Sequence, residues 1–220
     1  MAPLAQFGHA RGWLDRRGEP TRPSPADSAT ALRSSTRLSN GLKEFVRELP
    51  LGRGLILDAG PAWQSTIEFF TERGFKIYAD DILRGCREAR EEEGERPLVE
   101  RFLARCLDQP DNSFDGILVW DLIDYLEEEL LPGVVRRLYQ VARPGGLVLG
   151  IFHSKIPSPM PEFRRYRILS AETLEILPTG MTLPVRRALA NRQLLDLFGQ
   201  FRSSKTFIGR DNLREALFLK

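Results

Sequence analysis

The apolar positions of this 220-residue chain change period several times, and each change marks an element. Leu42, Phe45, Val46 and Leu49 recur at three- and four-residue spacing behind Ser39 and Asn40, which predicts a capped helix ending at Pro50. Gly54–Asp58 is a short apolar run and predicts a strand. Ser65–Arg73 predicts a helix with Ile67, Phe69 and Phe70 inward and Gly74 as its stop. Phe75–Ala79 reads as a second strand and Leu98–Leu103 as a third, with a charged helix over 83–101 broken at Gly94 and Pro97. Gly116–Trp120 follows the turn residues Asp111, Asn112 and Ser113 as a fourth strand. A helix over Pro132–Ala142 stops at Pro144-Gly145-Gly146, and Leu147–Phe152 is a fifth strand.

The rhythm then changes. Ile156–Pro161 holds three prolines, Tyr166–Leu169 and Thr173–Leu177 predict a hairpin, and Leu189–Phe198 a helix. Lys205–Gly209 and Glu215–Leu219 predict two closing strands around Arg210-Asp211-Asn212. Helices alternating with continuous Val/Ile/Leu runs imply an α/β fold with a mostly parallel sheet covered on both faces. Residues 1–37 lack periodicity and carry Pro3, Pro20, Pro23 and Pro25, so they read as a flexible leader before a domain at 38–220. Phe7, Trp13 and Leu14 in that leader form either a docking patch for a protein partner or incidental aromatics.

Composition narrows the function classes. Cys86 and Cys106 form no CxxC pair, which excludes a disulfide framework or a cysteine metal site and predicts a cytoplasmic protein. No apolar run reaches membrane-spanning length, so no membrane contact is expected. The net charge of +2 is uneven: residues 153–220 hold twelve basic and six acidic groups, or +6. That surplus is either a solvated arginine surface or a face toward an anionic partner. A nucleic-acid surface would need Arg164, Arg165, Arg167, Arg186 and Arg187 to be contiguous, and no nucleic-acid-reading motif supports one.

The chemistry concentrates at predicted strand ends. Ile56-Leu57-Asp58-Ala59-Gly60 closes the first strand, Asp80-Asp81 the second and Trp120-Asp121 the fourth. In an open parallel sheet these ends converge on one crevice. With GFKIYADDI at 74–82, DNSFDGILVWDLIDYL at 111–126 and ARPGGLVLGIF at 142–152, the chain resembles the class I S-adenosylmethionine-dependent methyltransferases over about residues 40–220.

The resemblance implies a Rossmann-like seven-stranded sheet with the last strand inserted antiparallel. It also implies S-adenosylmethionine as cofactor and methyl transfer to an acceptor, small molecule or protein, that the sequence does not identify. Gly60 matches the first loop glycine, and Asp58 either orients that loop and faces the cationic end of the cofactor or caps the following turn. Asp81, seven residues after Gly74, matches the acid that holds the ribose diol, since a carboxylate accepts from both hydroxyls. Trp120 and Asp121 match pocket positions, although Trp120 also suits the core. His153 is a candidate base or a locally satisfied strand-end histidine, and 156–184 a lid over the acceptor.

The chain departs from the family pattern at the later loop glycines, where Ala62, Trp63 and Gln64 stand, and at Leu103, where an acid reading adenine is common. A second reading follows from these departures: an inactive methyltransferase-fold scaffold with Trp63 filling the crevice.

Overall fold

The structure is a computed structural model that describes residues 34–160, 162–209 and 211–220. The leader up to position 33 and its aromatic patch lie outside the described residues. Its end does not behave as a leader: Ser35–Leu38 forms β1. The chain continues through α1 (Asn40–Glu48), β2 (Gly54–Asp58), α2 (Gln64–Thr71), β3 (Phe75–Ala79), α3 (Ile82–Glu91), α4 (Leu98–Leu103) and β4 (Phe114–Trp120). Two short 3-10 helices, Leu122–Tyr125 and Glu128–Leu130, lead into α5 (Leu131–Val141) and β5 (Ala142–His153). β6 (Arg164–Ser170), β7 (Thr173–Pro178), α6 (Asn191–Leu197), β8 (Ser203–Ile208) and β9 (Leu213–Leu219) complete it.

The strands make two sheets. The larger runs β3-β2-β4-β5-β9-β8, with β3, β2, β4 and β5 mutually parallel and β9, the last strand in sequence, inserted antiparallel between β5 and β8. The smaller runs β1-β7-β6, all antiparallel. This is the mixed α/β architecture expected, with six strands in the main sheet where seven were expected.

The difference is Leu98–Leu103, which is the helix α4 and not a strand. Its apolar residues, Leu98, Val99, Phe102 and Leu103, fall at i, i+1, i+4 and i+5, the spacing of a helical face. Pro97 opens the helix, where its missing N–H costs nothing, and Phe102 is fully buried. The charged helix expected over 83–101 stops earlier for the same reason, at Glu91.

β1 escaped detection because its partner is remote. Ser35–Leu38 pairs with Thr173–Ile176, a contact no local pattern reveals. Arg37 fixes this end of the chain by bridging to the buried Glu215 of β9 at 2.9 Å, and Glu215 also accepts from the Gly41 backbone N–H at 2.6 Å. That N–H belongs to the first turn of α1, so one carboxylate satisfies an otherwise orphaned donor and a buried cation together. Ser39 caps the same helix, its Oγ accepting from Leu42 N–H at 2.9 Å.

Parallel register carries the candidate residues to one edge. Asp58, at the carboxyl end of β2, lies opposite Ala79 of β3 and Leu118 of β4. The segments Ala59–Pro61, Asp80-Asp81 and Trp120-Asp121 therefore emerge side by side.

Candidate functional site

Asp58 is buried. Its Oδ1 accepts from the Gly60 N–H at 3.0 Å and from Trp120 Nε1–H at 2.7 Å, while Oδ2 is buried without a partner among the described residues. Burial pushes its carboxyl up to about 6; the Trp120 and Gly60 donors oppose that, and the nearby Asp81 adds to it. Asp58 thus holds the turn and lines no cavity, so it orients the loop without the expected face toward a cofactor. A Cβ at Gly60 would stand 3.1 Å from Trp120 Cδ1, so glycine is what lets the indole close over the turn.

Trp120 ends β4 with φ at +54°, in the left-handed region that a bulky side chain rarely occupies. The strained backbone turns its indole onto Asp58, and the ring stacks on Tyr166 of β6, centroids 5.7 Å apart and planes 8° from parallel. Tyr166 O–H then donates to Asp121 Oδ2 at 3.1 Å. Asp121 is itself buried, and its Oδ1 has no partner among the described residues. Burial pushes Asp121 up to about 7, with the imidazole of His153 opposing and Asp124 reinforcing the shift.

These groups border a cavity of about 230 Å³. Gly60, Asp81, Trp120 and Asp121 line it; Asp58 stands behind them. Asp81 caps α3, Oδ1 accepting from Arg84 N–H at 3.1 Å, and is only partly buried. Across from it lie Phe163, Tyr166, Met181 and Leu183, from the segment between β5 and α6. That segment is fastened to the domain by Arg186 and Arg187: Arg186 N–H donates to Asp124 O at 2.9 Å, and the Arg187 guanidinium to Ile123 O and Leu126 O.

The three residues that replace the loop glycines do not enter this space. Ala62 and Gln64 are exposed, Gln64 bonding Glu68 on its own helix at 2.8 Å, and Trp63 is half-buried at the start of α2. None lines the cavity. The crevice filling expected of Trp63 is not observed; Trp120 is the indole that packs there.

His153 lies elsewhere. It borders a second cavity of about 160 Å³, separated from the first by a wall of Asp121, Tyr125, Arg164 and Tyr166 that lines both. Its Nδ1 lies 2.9 Å from Oδ2 of the buried Asp124, which also accepts the His153 backbone N–H at 2.6 Å. His153 is therefore the locally satisfied histidine of the two readings. Sequence reasoning missed Asp124, although an acid three residues after Asp121 in one turn was its signal. It also missed the arginines of α3. Among the described residues no group of acids, histidines and cysteines is placed to hold a metal ion, and no helix is long and apolar enough to cross a membrane.

Comparison with known proteins follows the same outline. Residues 57–150 match the model of a family described as a methyltransferase domain. No curated protein matches the chain by sequence. Among solved structures, it is similar to 1,6-didemethyltoxoflavin-N1-methyltransferase of Burkholderia thailandensis, a structure holding 1,6-didemethyltoxoflavin and S-adenosylhomocysteine. Identity there is 16%, covering 82% of this chain and 76% of that one, with a TM-score of 0.48. Two S-adenosylmethionine-dependent methyltransferases are also similar. That of Methanosarcina mazei shows 13% identity over 80% of this chain and 96% of that one (TM-score 0.47), and that of Aquifex aeolicus 14% over 83% and 90% (TM-score 0.44). The matched segment begins inside β2, spans Gly60, Asp81 and Asp121, and ends inside β5. The family-level match is confined to this segment: residues 57–150 carry the pattern of a methyltransferase domain.

Proposed function

We propose that this protein transfers a methyl group from S-adenosylmethionine to a small-molecule acceptor. One observation carries the reading: Gly60, Asp81, Trp120 and Asp121, drawn from three strand ends within the segment that matches a methyltransferase domain, border a single cavity. The donor set suits the cofactor. Asp81 offers a carboxylate to a diol and Gly60 bare backbone. When bound, the sulfonium supplies an electrophilic methyl group.

Asp121 would receive the acceptor's proton at Oδ1. A carboxyl raised to about 7 is matched to proton transfer near neutral pH, and this one touches the cavity directly. Trp120 and Tyr166 hold it in place and keep water from its far side. The segment 156–184 serves as the lid, with Phe163 and Met181 on its inner side. We place the protein in the cytoplasm, on the strength of two free cysteines.

Calorimetric titration with S-adenosylhomocysteine tests the reading. Saturable binding that is lost in Asp81→Ala but retained in a neutral surface variant such as Arg192→Gln supports it. A flat isotherm at millimolar ligand overturns it.

A further inference from the structure

Six arginines border the main cavity: Arg84, Arg87 and Arg90 from α3, Arg164 and Arg165 at the start of β6, and Arg186 beyond β7. Only three acids face them, Asp81, Asp121 and Glu127. Glu127 is already engaged by both Arg90 and Arg186, and Asp121, held up at about 7, is only partly charged at neutral pH. No carboxylate among the described residues lies within ion-pair distance of Arg87, Arg164 or Arg165, and Arg165 Nε is buried without a partner.

The surplus of like charge is costly unless something anionic offsets it. The cofactor as a whole does not: its carboxylate is matched by its own α-ammonium, and the sulfonium adds a further positive charge. Much of the remaining lining is apolar, Leu83, Leu122, Phe163, Met181 and Leu183 among it.

We propose that the acceptor is a small molecule with an apolar body and an anionic oxygen group, a carboxylate or a phosphate, held by Arg87, Arg164 and Arg165. The proposal rests on the methyl-transfer reading for calling the ligand an acceptor. The guanidinium fork suits both groups because each offers two oxygens at matching spacing. The apolar patches bury the body, and the anion offsets the arginine surplus. Arg90 and Arg186, joined through Glu127, link α3 to the segment beyond β7 and close the arginine side of the cavity.

The experiment uses the full chain and three probes, benzoate, phenyl phosphate and the neutral benzamide, titrated by calorimetry with S-adenosylhomocysteine present. At least one anion binds, more weakly as salt rises, and benzamide binds roughly tenfold or more weakly. The stronger anion identifies the group. In the double variant Arg87→Gln, Arg164→Gln the anion affinity falls about tenfold or more, while S-adenosylhomocysteine affinity and the thermal midpoint stay as in the wild type.

Equal binding of benzamide, absence of binding by all three probes, or an unchanged double variant overturns the proposal. The two readings fail separately. A flat S-adenosylhomocysteine isotherm with anion binding intact removes methyl transfer and leaves the anion site. Cofactor binding beside a charge-blind cavity removes only the anion site.

Discussion

Replacing Asp121 by Asn isolates the cost of a buried carboxyl. Asn keeps an acceptor for the Tyr166 hydroxyl, which lies 3.1 Å from Asp121 Oδ2, and nearly the same shape, so packing on Trp120 and Tyr166 is preserved. Only the ionisation is removed. In the folded protein burial pushes Asp121 from an ordinary 3.8 up to about 7. The native state therefore keeps its proton through a pH range in which the unfolded chain has released its own. A group raised in this way contributes stability that is complete below about pH 4 and is lost as pH rises through about 7. The interval between 3.8 and about 7, at about 1.36 kcal/mol for each pH unit, amounts to about 4 kcal/mol, an upper bound because water and neighbouring dipoles screen the charge. Denaturant unfolding of wild type and Asp121→Asn across about pH 4 to about pH 8 provides the assay. The two proteins should match at the acid end. Asp121→Asn should grow more stable than wild type as pH rises, by roughly 2–4 kcal/mol, and level off above about pH 7. A difference independent of pH, or an Asn variant less stable at about pH 8, would refute the burial argument.

Other expectations test neighbouring parts of the site. Trp120→Phe removes the Nε1–H donor to Asp58 and should cost about 1–3 kcal/mol at neutral pH by leaving the buried carboxylate with the Gly60 N–H as its one remaining donor among the described residues; a loss below roughly 0.5 kcal/mol would mean the bond carries little. Gly85→Ala should destabilise by about 1–3 kcal/mol despite the better helix propensity of Ala, because its Cβ would overlap Cys106 Sγ. Adding Cys106→Ala should recover most of the loss, and a stabilised single variant would contradict the packing. In neutral His153 the proton should reside on Nδ1, facing Asp124 Oδ2; ring-nitrogen NMR showing the opposite tautomer would refute that contact.

How far the sequence disclosed this protein depended on whether the cause of each feature was local. β2, β3 and the carboxyl end of β4 were legible because continuous apolar runs ended at turn chemistry. The convergence of Gly60, Asp81 and Asp121 followed from parallel register alone. α4 was misread because four apolar residues within a six-residue segment fit either period until the flanking proline is weighed. β5 begins at Ala142, five residues before the expected start, since Phe114 pairs with Ala142 upstream of the Pro-Gly-Gly turn. The bond between Trp120 and Asp58 joins residues 62 apart in sequence, and Asp124 meets His153 across 29. The arginines show the same limit. Arg164, Arg165 and Arg186 read as a surface patch, and only the fold brings them opposite Arg84, Arg87 and Arg90.

The helix α4 leaves β3 as the outer strand of the main sheet, with one side of its backbone unpaired within that sheet. Such a strand can template the addition of another chain. Here it is five residues long, with Lys76, Tyr78 and Ala79 exposed, so brevity and one ammonium guard it. Lys76 therefore acts as a gatekeeper. Its replacement by Val would turn this rim into a nucleus for self-association without touching the cavity at all.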